Sequence, residues 1–411
     1  MTASPASPAP LETDVLIVGG GLVGGALACA LASAGIASAV IEKDDPANHL
    51  TAAFDGRAFA TAYATRRMLE ALGLWQRIAP EASPILDIRV SEGGSPFFLH
   101  FAHGEGGDEP FGHMVEARTM RRAIHARMAE WPAIRLIAPA RVVSLARQPG
   151  GVEAVLADGR RLRAALAVAA DGRGSRLRAE AGIRTTGWPY GQHGIVCTVA
   201  HERGHGNVAH EHFLPSGPFA ILPLTGNRCS LVWTERSDLA PHLMGLPEAD
   251  FAAEAARRIG DFLGHLEVVG PRWSYPLGLQ FAERAHDRRL ALVGDALHAM
   301  HPIAGQGLNM GLRDAATLAE VLTDARRLGL DLGDGAALAR YDRWRRFDNF
   351  MMLVATDGLT RVFANDIRPL KAARDLGLAV VGRIAPLKRL IMRHHMGTLG
   401  ELPRLLRGEA L

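Results

Sequence analysis

The chain has 411 residues, 48% hydrophobic and 22% charged, a composition ordinary for a soluble globular protein of two or three packed units. Its net charge of +3 is uneven, about +6 from Tyr341 to Leu411 against −3 before it, yet no aromatic-interleaved basic motif or zinc-finger spacing accompanies that excess, which argues against nucleic acid as a partner. Cys29, Cys197 and Cys229 show no paired metal spacing and leave one over for any disulfide scheme, so a reducing cytoplasm is the expected compartment.

The first ten residues, MTASPASPAP, lack the basic region and apolar core of a signal peptide and predict a disordered tail over 1–10. Asp14 to Glu42 then encloses 27 uncharged residues, long enough to suggest a membrane span. Its order argues for a folded unit. Val15 to Val18 is β-branched, Gly19-Gly20-Gly21 would weaken a spanning helix, Leu22 to Ala34 is helix-forming, Gly35 suits a C-cap, and Ala37 to Ile41 reads as a second strand. Gly19, Gly21 and Gly24 fit the G-x-G-x-x-G spacing that admits a dinucleotide pyrophosphate at a strand-to-helix junction. Glu42 ends the second strand 18 residues after Gly24, where a carboxylate can accept both hydroxyls of an adenosine ribose.

Next, an irregular stretch from Ala53 enters an amphipathic helix with Met68, Leu69, Leu72 and Leu74 on its apolar positions. Ile85 to Val90 and Pro96 to Phe101, parted by Gly93-Gly94, predict a hairpin, and a helix follows over Ala117 to Glu130. The alternating runs from Ala140 to Gly172 predict antiparallel strands that return to the first sheet. Asp171-Gly172, with Gly174 and Ser175, closes them; alone it is an ordinary turn, although Arg173 or Arg176 there is placed to meet a phosphate. Gly191 to Gln280 is strand-rich, with a hairpin turned at Thr225-Gly226-Asn227 and one helix over Pro247 to Leu263. His201, His205, His210 and His212 lie in a polar, Gly-containing segment without ordered ligand spacing, which predicts a solvated loop and no metal.

Leu290 to Val293 is a strand ending at Gly294-Asp295, and Gly305 to Gly311 opens a helix continued by Leu312, Leu318 and Leu322. An acid at a strand's carboxyl end suits a polyol, and a Gly-rich helix N-terminus suits an electron-rich ring edge; a flavin carries both. His298 and His301 stand beside this loop, and packing or hydrogen bonding is a more economical role for each than proton transfer. In the C-terminal segment Val380, Ile384, Leu387 and Ile391 share a helical face, with Arg383, Arg389 and Arg393 elsewhere and a kink expected at Pro386.

Together the stretches around Gly19, Asp171 and Asp295 resemble the FAD-dependent aromatic hydroxylases of the para-hydroxybenzoate hydroxylase fold. "GDALHAMHPIAGQGLNMGLRDA" resembles the signature of the ubiquinone-biosynthesis hydroxylases among them, through His301-Pro302, Gly305-Gln306-Gly307, Asn309, Gly311 and Asp314. The likeness runs from Asp14 to about Pro403. It implies an α/β (α+β) chain: a Rossmann-like FAD-binding domain over 11–80, 105–182 and 283–345, a mostly antiparallel β substrate domain over 81–104 and 183–282, and a C-terminal helical segment over 346–411. It also implies Gly19, Gly21, Gly24 and Glu42 on the adenosine half of FAD, Asp171 near the pyrophosphate, Asp295 on the ribityl or phosphate region, and Gly305, Gln306, Gly307, Leu308 and Asn309 beside the isoalloxazine. His301 and Pro302 become pocket candidates. Arg57 in "DGRAFA" and Arg118 in "VEARTM" match positions that contact FAD, although Ala117 stands where the family commonly has Asn, and Ala169-Ala170-Asp171-Gly172 where it often has Gly-Ala-Asp-Gly.

The implied chemistry is insertion of one atom of O2 into a polyprenylated phenol through a flavin C4a-hydroperoxide, with no protein nucleophile or metal. Electrons come from NAD(P)H, bound without a second Rossmann domain, or from a separate reductase. Another aromatic substrate, or a flavin oxidoreductase such as a prenyl reductase that inserts no oxygen, would share the three motifs. The basic C-terminal segment predicts contact with the inner face of the cytoplasmic membrane or with pathway enzymes, or else a helical cap on the flavin domain.

Overall fold

The computed structural model describes residues 9–50, 55–92, 98–105, 108–363 and 384–411, so the predicted tail is outside the described residues except at its last two positions. Val15–Val18 and Ser38–Ile41 are parallel strands joined by the helix Leu22–Ser33, with Val18 paired to Ile41. Gly35 takes φ +73° after the helix, a left-handed position that favours glycine. The helix is buried from Gly24 to Ala32 because the helices Ala117–Ala129 and Gly307–Arg327 cover it, which explains a run apolar on every side. Among the described residues no helix is long and apolar enough to cross a membrane.

Leu166–Ala169 and Leu290–Leu292 extend the sheet on the other side of Val15–Val18, and Ile134–Ile137 extends it beyond Ser38–Ile41. Those five strands are parallel, and a two-residue edge strand, His286–Asp287, runs antiparallel. The strand order reverses at Val15–Val18. Such a reversal opens a crevice at the strands' carboxyl ends, where Val18, Ile41, Ala169 and Leu292 finish together.

Two expectations about strands need correction. Val142–Gln148, Gly151–Leu156 and Arg161–Ala164 do not return to the first sheet; with Leu11–Glu12 they form a separate four-stranded one. Gly151–Leu156 alternates between buried and half-buried positions, which suits a sheet covered on one face, whereas Leu166–Ala169 is buried throughout and enters the parallel sheet. Ala58–Ala62, read as irregular, is a strand paired to Gly112–Glu116, which also pairs Ser83–Ile85. Its Ala-rich sequence has little strand propensity, so the partner decides its conformation.

An eight-stranded sheet runs in the order His298–Ala299, Leu266–Ala282, Thr185–His201, Arg228–Arg236, Gly217–Leu224, Val208–Leu214, Asp87–Glu92, Phe98–Ala102. The hairpin turned at Thr225-Gly226-Asn227 is present, with Leu224 opposite Arg228 and Gly226 at φ +72°. Asp87–Glu92 and Phe98–Ala102 form the other predicted hairpin, whose Gly93-Gly94 turn is outside the described residues. One face of this sheet packs Ile195, Phe219, Leu231 and Trp233 against Phe251 of the helix Glu248–Ile259. The opposite face joins Leu99, Phe101, Ala209 and Leu224 to Met114 of the three-stranded sheet.

The histidine cluster is not a solvated loop. His210 and His212 stand on the interior strand Val208–Leu214, facing the helix layer, and burial pushes the His210 imidazole down to about 4. His201 is buried with Nδ1 2.7 Å from the Arg203 carbonyl, and His205 Nε2 lies 2.9 Å from the Leu224 carbonyl, so backbone groups occupy these rings. All three cysteines are buried and unpaired, and burial pushes each thiol up to about 12.

The helix Gly335–Phe363 runs through the expected boundary between residues 345 and 346, and its Tyr341 and Arg345 are fully buried. Pro386 does not kink a helix either. It occupies the first turn of the helix Ala385–His395, where a missing N–H is harmless; Val380 and Arg383 are outside the described residues.

Candidate active site

The crevice begins with the three glycines, and each meets a different constraint. A Cβ on Gly19, at φ +109°, would lie 2.2 Å from the Ala170 carbonyl oxygen, and one on Gly24 would lie 2.0 Å from that of Gly19. These two positions let strand, turn and helix close on one another. A Cβ on Gly21 would meet nothing within 4 Å, so that glycine faces open space at the N-terminus of Leu22–Ser33. No side chain caps this terminus and no acid stands in its first turn, which leaves amides and the positive dipole end for an anion. At the next strand end Glu42 accepts from the Gly20 amide at 2.7 Å and the Asp44 amide at 3.0 Å, so its carboxylate is held at the rim.

Asp171 follows Leu166–Ala169. Its Oδ2 accepts from the Arg176 amide at 3.0 Å, whereas its Oδ1 is buried without a partner among the described residues. A bare carboxylate oxygen in a crevice is an invitation to a donor. Arg176 is occupied by Glu180 and the Val143 carbonyl, at 2.5 Å each, and does not stand ready for a phosphate. Asp295 follows Leu290–Leu292 and opens to the crevice, yet the protein around it desolvates the carboxyl and raises its pKa.

Behind Asp295 lies a buried network that the motifs did not disclose. Asp314 is fully buried and accepts from the Gly294 amide at 3.0 Å; its Oδ2 lies 2.7 Å from His298 Nε2 and its Oδ1 accepts from Arg345 Nε at 2.7 Å. Burial works to raise this carboxyl, but His298 and Arg345 overcome it and lower its pKa. His298 is thus a positioning residue, in line with the role expected for it. An acid inside an apolar helix, Asp314 among Leu312, Ala315 and Ala316, was the available signal; nothing in the sequence singled out Arg345.

The loop before Gly307–Arg327 is pinned by Asn309. Its Oδ1 accepts from the Ala62 amide at 2.9 Å and its Nδ2 donates to the Ala60 carbonyl at 2.9 Å, so the side chain braces the strand Ala58–Ala62. Gly305, at φ +62°, lies against Ala60, and a Cβ on Gly307 would meet open space. No side chain caps this helix, and Leu308 is half-buried beside buried Gln306. His301 is fully buried: its Nδ1 accepts from the Ile303 amide at 3.2 Å, and its Nε2 has no partner among the described residues. Burial pushes this imidazole down to about 4, so it is neutral with the proton on Nε2, in edge contact with Tyr190. Pro302 follows as the N-cap of a short 3₁₀ turn.

Arg57 pairs with Asp55 at 2.8 Å and lies over Trp273 at 4.9 Å. Arg118 donates to Glu116 at 2.7 Å, and Glu116 also accepts from Arg228 at 2.8 Å, a link from the nucleotide-binding unit to the eight-stranded sheet. The donor set fits an FAD: two uncapped helix N-termini, acids at three strand ends, an unpartnered Asp171 oxygen, and open cradles at Gly21 and Gly307.

The profile of the FAD binding domain family matches residues 12–346. The chain is similar to the ubiquinone hydroxylase UbiL of Rhodospirillum rubrum, 57% identical over 97% of this chain and 93% of the relative. It is also similar to the 3-demethoxyubiquinol 3-hydroxylase of Escherichia coli, 34% identical over 94% and 98%. Among solved structures, the p-nitrophenol 4-monooxygenase PnpA of Pseudomonas putida superposes with a TM-score of 0.79 over 95% of this chain and 100% of that one; at 20% identity this is a likeness of fold. Fold and site define an FAD-dependent monooxygenase, an oxidoreductase that uses O2. The chain belongs to the ubiquinone-biosynthesis FAD-dependent hydroxylases, within the para-hydroxybenzoate hydroxylase fold.

Proposed function

We propose that this enzyme hydroxylates a ring carbon of a polyprenylated phenol on the route to ubiquinone. In this reading Glu42 holds the adenosine ribose, Gly19, Gly21 and Gly24 border the pyrophosphate with Asp171 near it, and Asp295 takes the ribityl region. Gly305, Gln306, Gly307, Leu308 and Asn309 border the isoalloxazine, with His301 and Pro302 in the pocket and Arg57 and Arg118 toward the cofactor. FAD supplies the activation of O2 and the transfer of one oxygen atom. The chain supplies position, a positive helix end for developing charge on the ring edge, and walls that exclude water.

Support comes above all from the face of the eight-stranded sheet turned toward the flavin unit. Ala220, Val232 and Val196 line up across it beside Glu211, with Val90 and Leu99 beyond packed toward Met114, a largely apolar floor suited to an aromatic ring with a hydrocarbon tail. Electrons reach the flavin from NAD(P)H or a separate reductase. Deleting the gene is expected to accumulate a prenylated phenol one ring oxygen short of the product, seen by mass spectrometry and cleared by a plasmid copy. A normal quinone pool would turn the assignment toward another aromatic substrate or a flavin reaction without oxygen insertion.

So apolar a substrate resides in a membrane, and the helix surface suits contact with one. Phe347, Phe350, Met351 and Val354 recur at helical spacing with 70%, 54%, 48% and 50% exposure. On the helix Ala385–His395, Leu387 and Leu390 are exposed near Arg389 and Arg393. Changing Phe347, Phe350 and Met351 together to serine is expected to lower co-sedimentation with vesicles of anionic lipid by about fivefold or more, because both apolar insertion and headgroup attraction contribute. Equal sedimentation with unchanged FAD content would remove the membrane from this reading.

A further inference from the structure

One paired row crosses the face of the eight-stranded sheet opposite the helix Glu248–Ile259, the face from which Thr198 Oγ1 donates to the Gly56 carbonyl of the nucleotide-binding unit at 3.3 Å: Leu99, Val90, Glu211, Ala220, Val232 and Val196. The face is established by alternation. Ile195, Phe219 and Leu231 pack on the helix Glu248–Ile259, so their strand neighbours Val196, Ala220 and Val232 point the other way, and Glu211 pairs with Ala220. Glu211 is the only ionisable side chain in the row. Among the described residues its carboxylate has no hydrogen bond and no ion pair.

Two hydroxyls share this face, two residues to either side of Val232. Ser230 and Thr234 are both buried, and neither Oγ of Ser230 nor Oγ1 of Thr234 has a partner among the described residues. Native interiors rarely leave two hydroxyls unsatisfied beside one apolar floor, and the half-buried Glu211 carboxylate shares that face with them. Such a group is satisfied when a ligand brings the missing donor.

We infer that Glu211 receives the ring hydroxyl of the substrate and accepts its proton during oxygen transfer. This rests on the phenol reading above. The phenolic O–H bond breaks, its electron pair stays on the ring oxygen, and the proton passes to a Glu211 carboxylate oxygen. The added density falls on the ortho and para carbons, which makes one of them the nucleophile toward the oxygen that FAD and O2 deliver. No electron leaves the ring in this step, and no further reactant is needed.

Burial pushes the Glu211 carboxyl up to about 8. That is far nearer a phenol, at about 10, than an exposed glutamate would be, and proton transfer is eased by such a match. The titratable groups on the packed elements are Glu92, which pairs with Phe213 on the adjacent strand, and Lys388 and His395, 5.8 Å and 6.4 Å from the Phe101 ring, with Lys388 itself paired to Glu105; His210 and His212 face the helix layer. Burial is the sole cause of the Glu211 shift, so none of these sets it. A base must be ionised, so hydroxylation should rise with pH through about 8 and fall about tenfold per unit below it.

The test uses the full-length holoenzyme, a short-chain prenylphenol and its methyl ether, which lacks the O–H. Equilibrium dialysis is expected to show the phenol binding about tenfold more weakly to Glu211→Gln than to the wild type, the loss of one charge-assisted hydrogen bond, while the ether binds both equally. In the wild type alone, phenol affinity is expected to improve as pH rises through about 8, which needs no variant to fold. With flavin reduced by dithionite and then exposed to O2, product per flavin should lose its inflection in Glu211→Gln and partly regain it in Glu211→Asp. Equal loss of phenol and ether binding, or a variant with the wild-type pH profile, would overturn the role of Glu211. A wild type that hydroxylates no prenylphenol would instead overturn the phenol reading.

Discussion

Gly24→Ala is expected to yield a destabilised protein without FAD, whereas Gly21→Ala is expected to yield a stable one without FAD. The added methyl at Gly24 would sit 2.0 Å from the Gly19 carbonyl oxygen, and 3.2 Å from the Ala170 side chain. The close obstacle is backbone in a turn held between strand and helix, so it cannot swing aside as a side-chain tip does. Overlap of this kind belongs with the severe core substitutions, with a loss of about 4 kcal/mol and a melting point lower by about 5 °C. At Gly21 a methyl would touch no protein atom, so the apoprotein should melt as the wild type does. It would stand where a pyrophosphate approaches the amides, and affinity for FAD should drop about 100-fold. Flavin absorbance per protein and the melting curve of stripped protein read both effects. A Gly21→Ala protein that retains FAD would remove the pyrophosphate from that cradle.

Arg345→Met is expected to lower stability by about 3–5 kcal/mol, because it leaves a buried carboxylate without its guanidinium. Arg345 is fully buried and holds Asp314 at 2.7 Å, Asp348 at 2.8 Å and Asn349 at 2.7 Å, three partners that no apolar side chain replaces. The damage should reach the cofactor, since Asp314 also holds the Gly294 amide immediately before Asp295. Arg345→Lys keeps the charge without the planar fork and should fall between the two. The pH dependence has a definite sign. The Asp314 carboxyl has a lowered pKa in the fold, so its contribution is fully present above the ordinary carboxylate value of about 4 and is lost as pH falls from there through the lowered folded value. Wild-type stability from this group should therefore be level between about pH 5 and 9 and fail below about 4, with Arg345→Met failing at higher pH. A variant with unchanged melting point and FAD content would show that the network is idle.

The turns and strand ends proposed to hold the cofactor were legible because local chemistry decides them. Gly19 and Gly24 have no room for a side chain, Glu42 ends a strand, and Gly305 to Gly311 opens a helix; each constraint acts within a few residues and leaves its mark in the spacing. Glycines, caps and apolar periodicity likewise specified the helix Leu22–Ser33 and the hairpin turned at Gly226. Asn309 was visible but its task was not: the side chain braces Ala58–Ala62, some 250 residues away, and only the folded chain brings the two together.

Residues whose meaning depends on which face of a sheet they occupy were decided by tertiary structure alone. His210, Glu211 and His212 form one polar stretch in the sequence. On an interior strand the period of two sends the histidines to the helix layer and Glu211 toward the flavin unit. The same holds for Ala58–Ala62, made a strand by its partner, and for Arg345, drawn inward by Asp314. Glycine spacing and strand ends in the sequence determined the crevice proposed for the dinucleotide, because backbone sterics are local. The long-range pairing of strands determined the face proposed for the substrate, because burial is a property of the neighbours a residue meets only after folding.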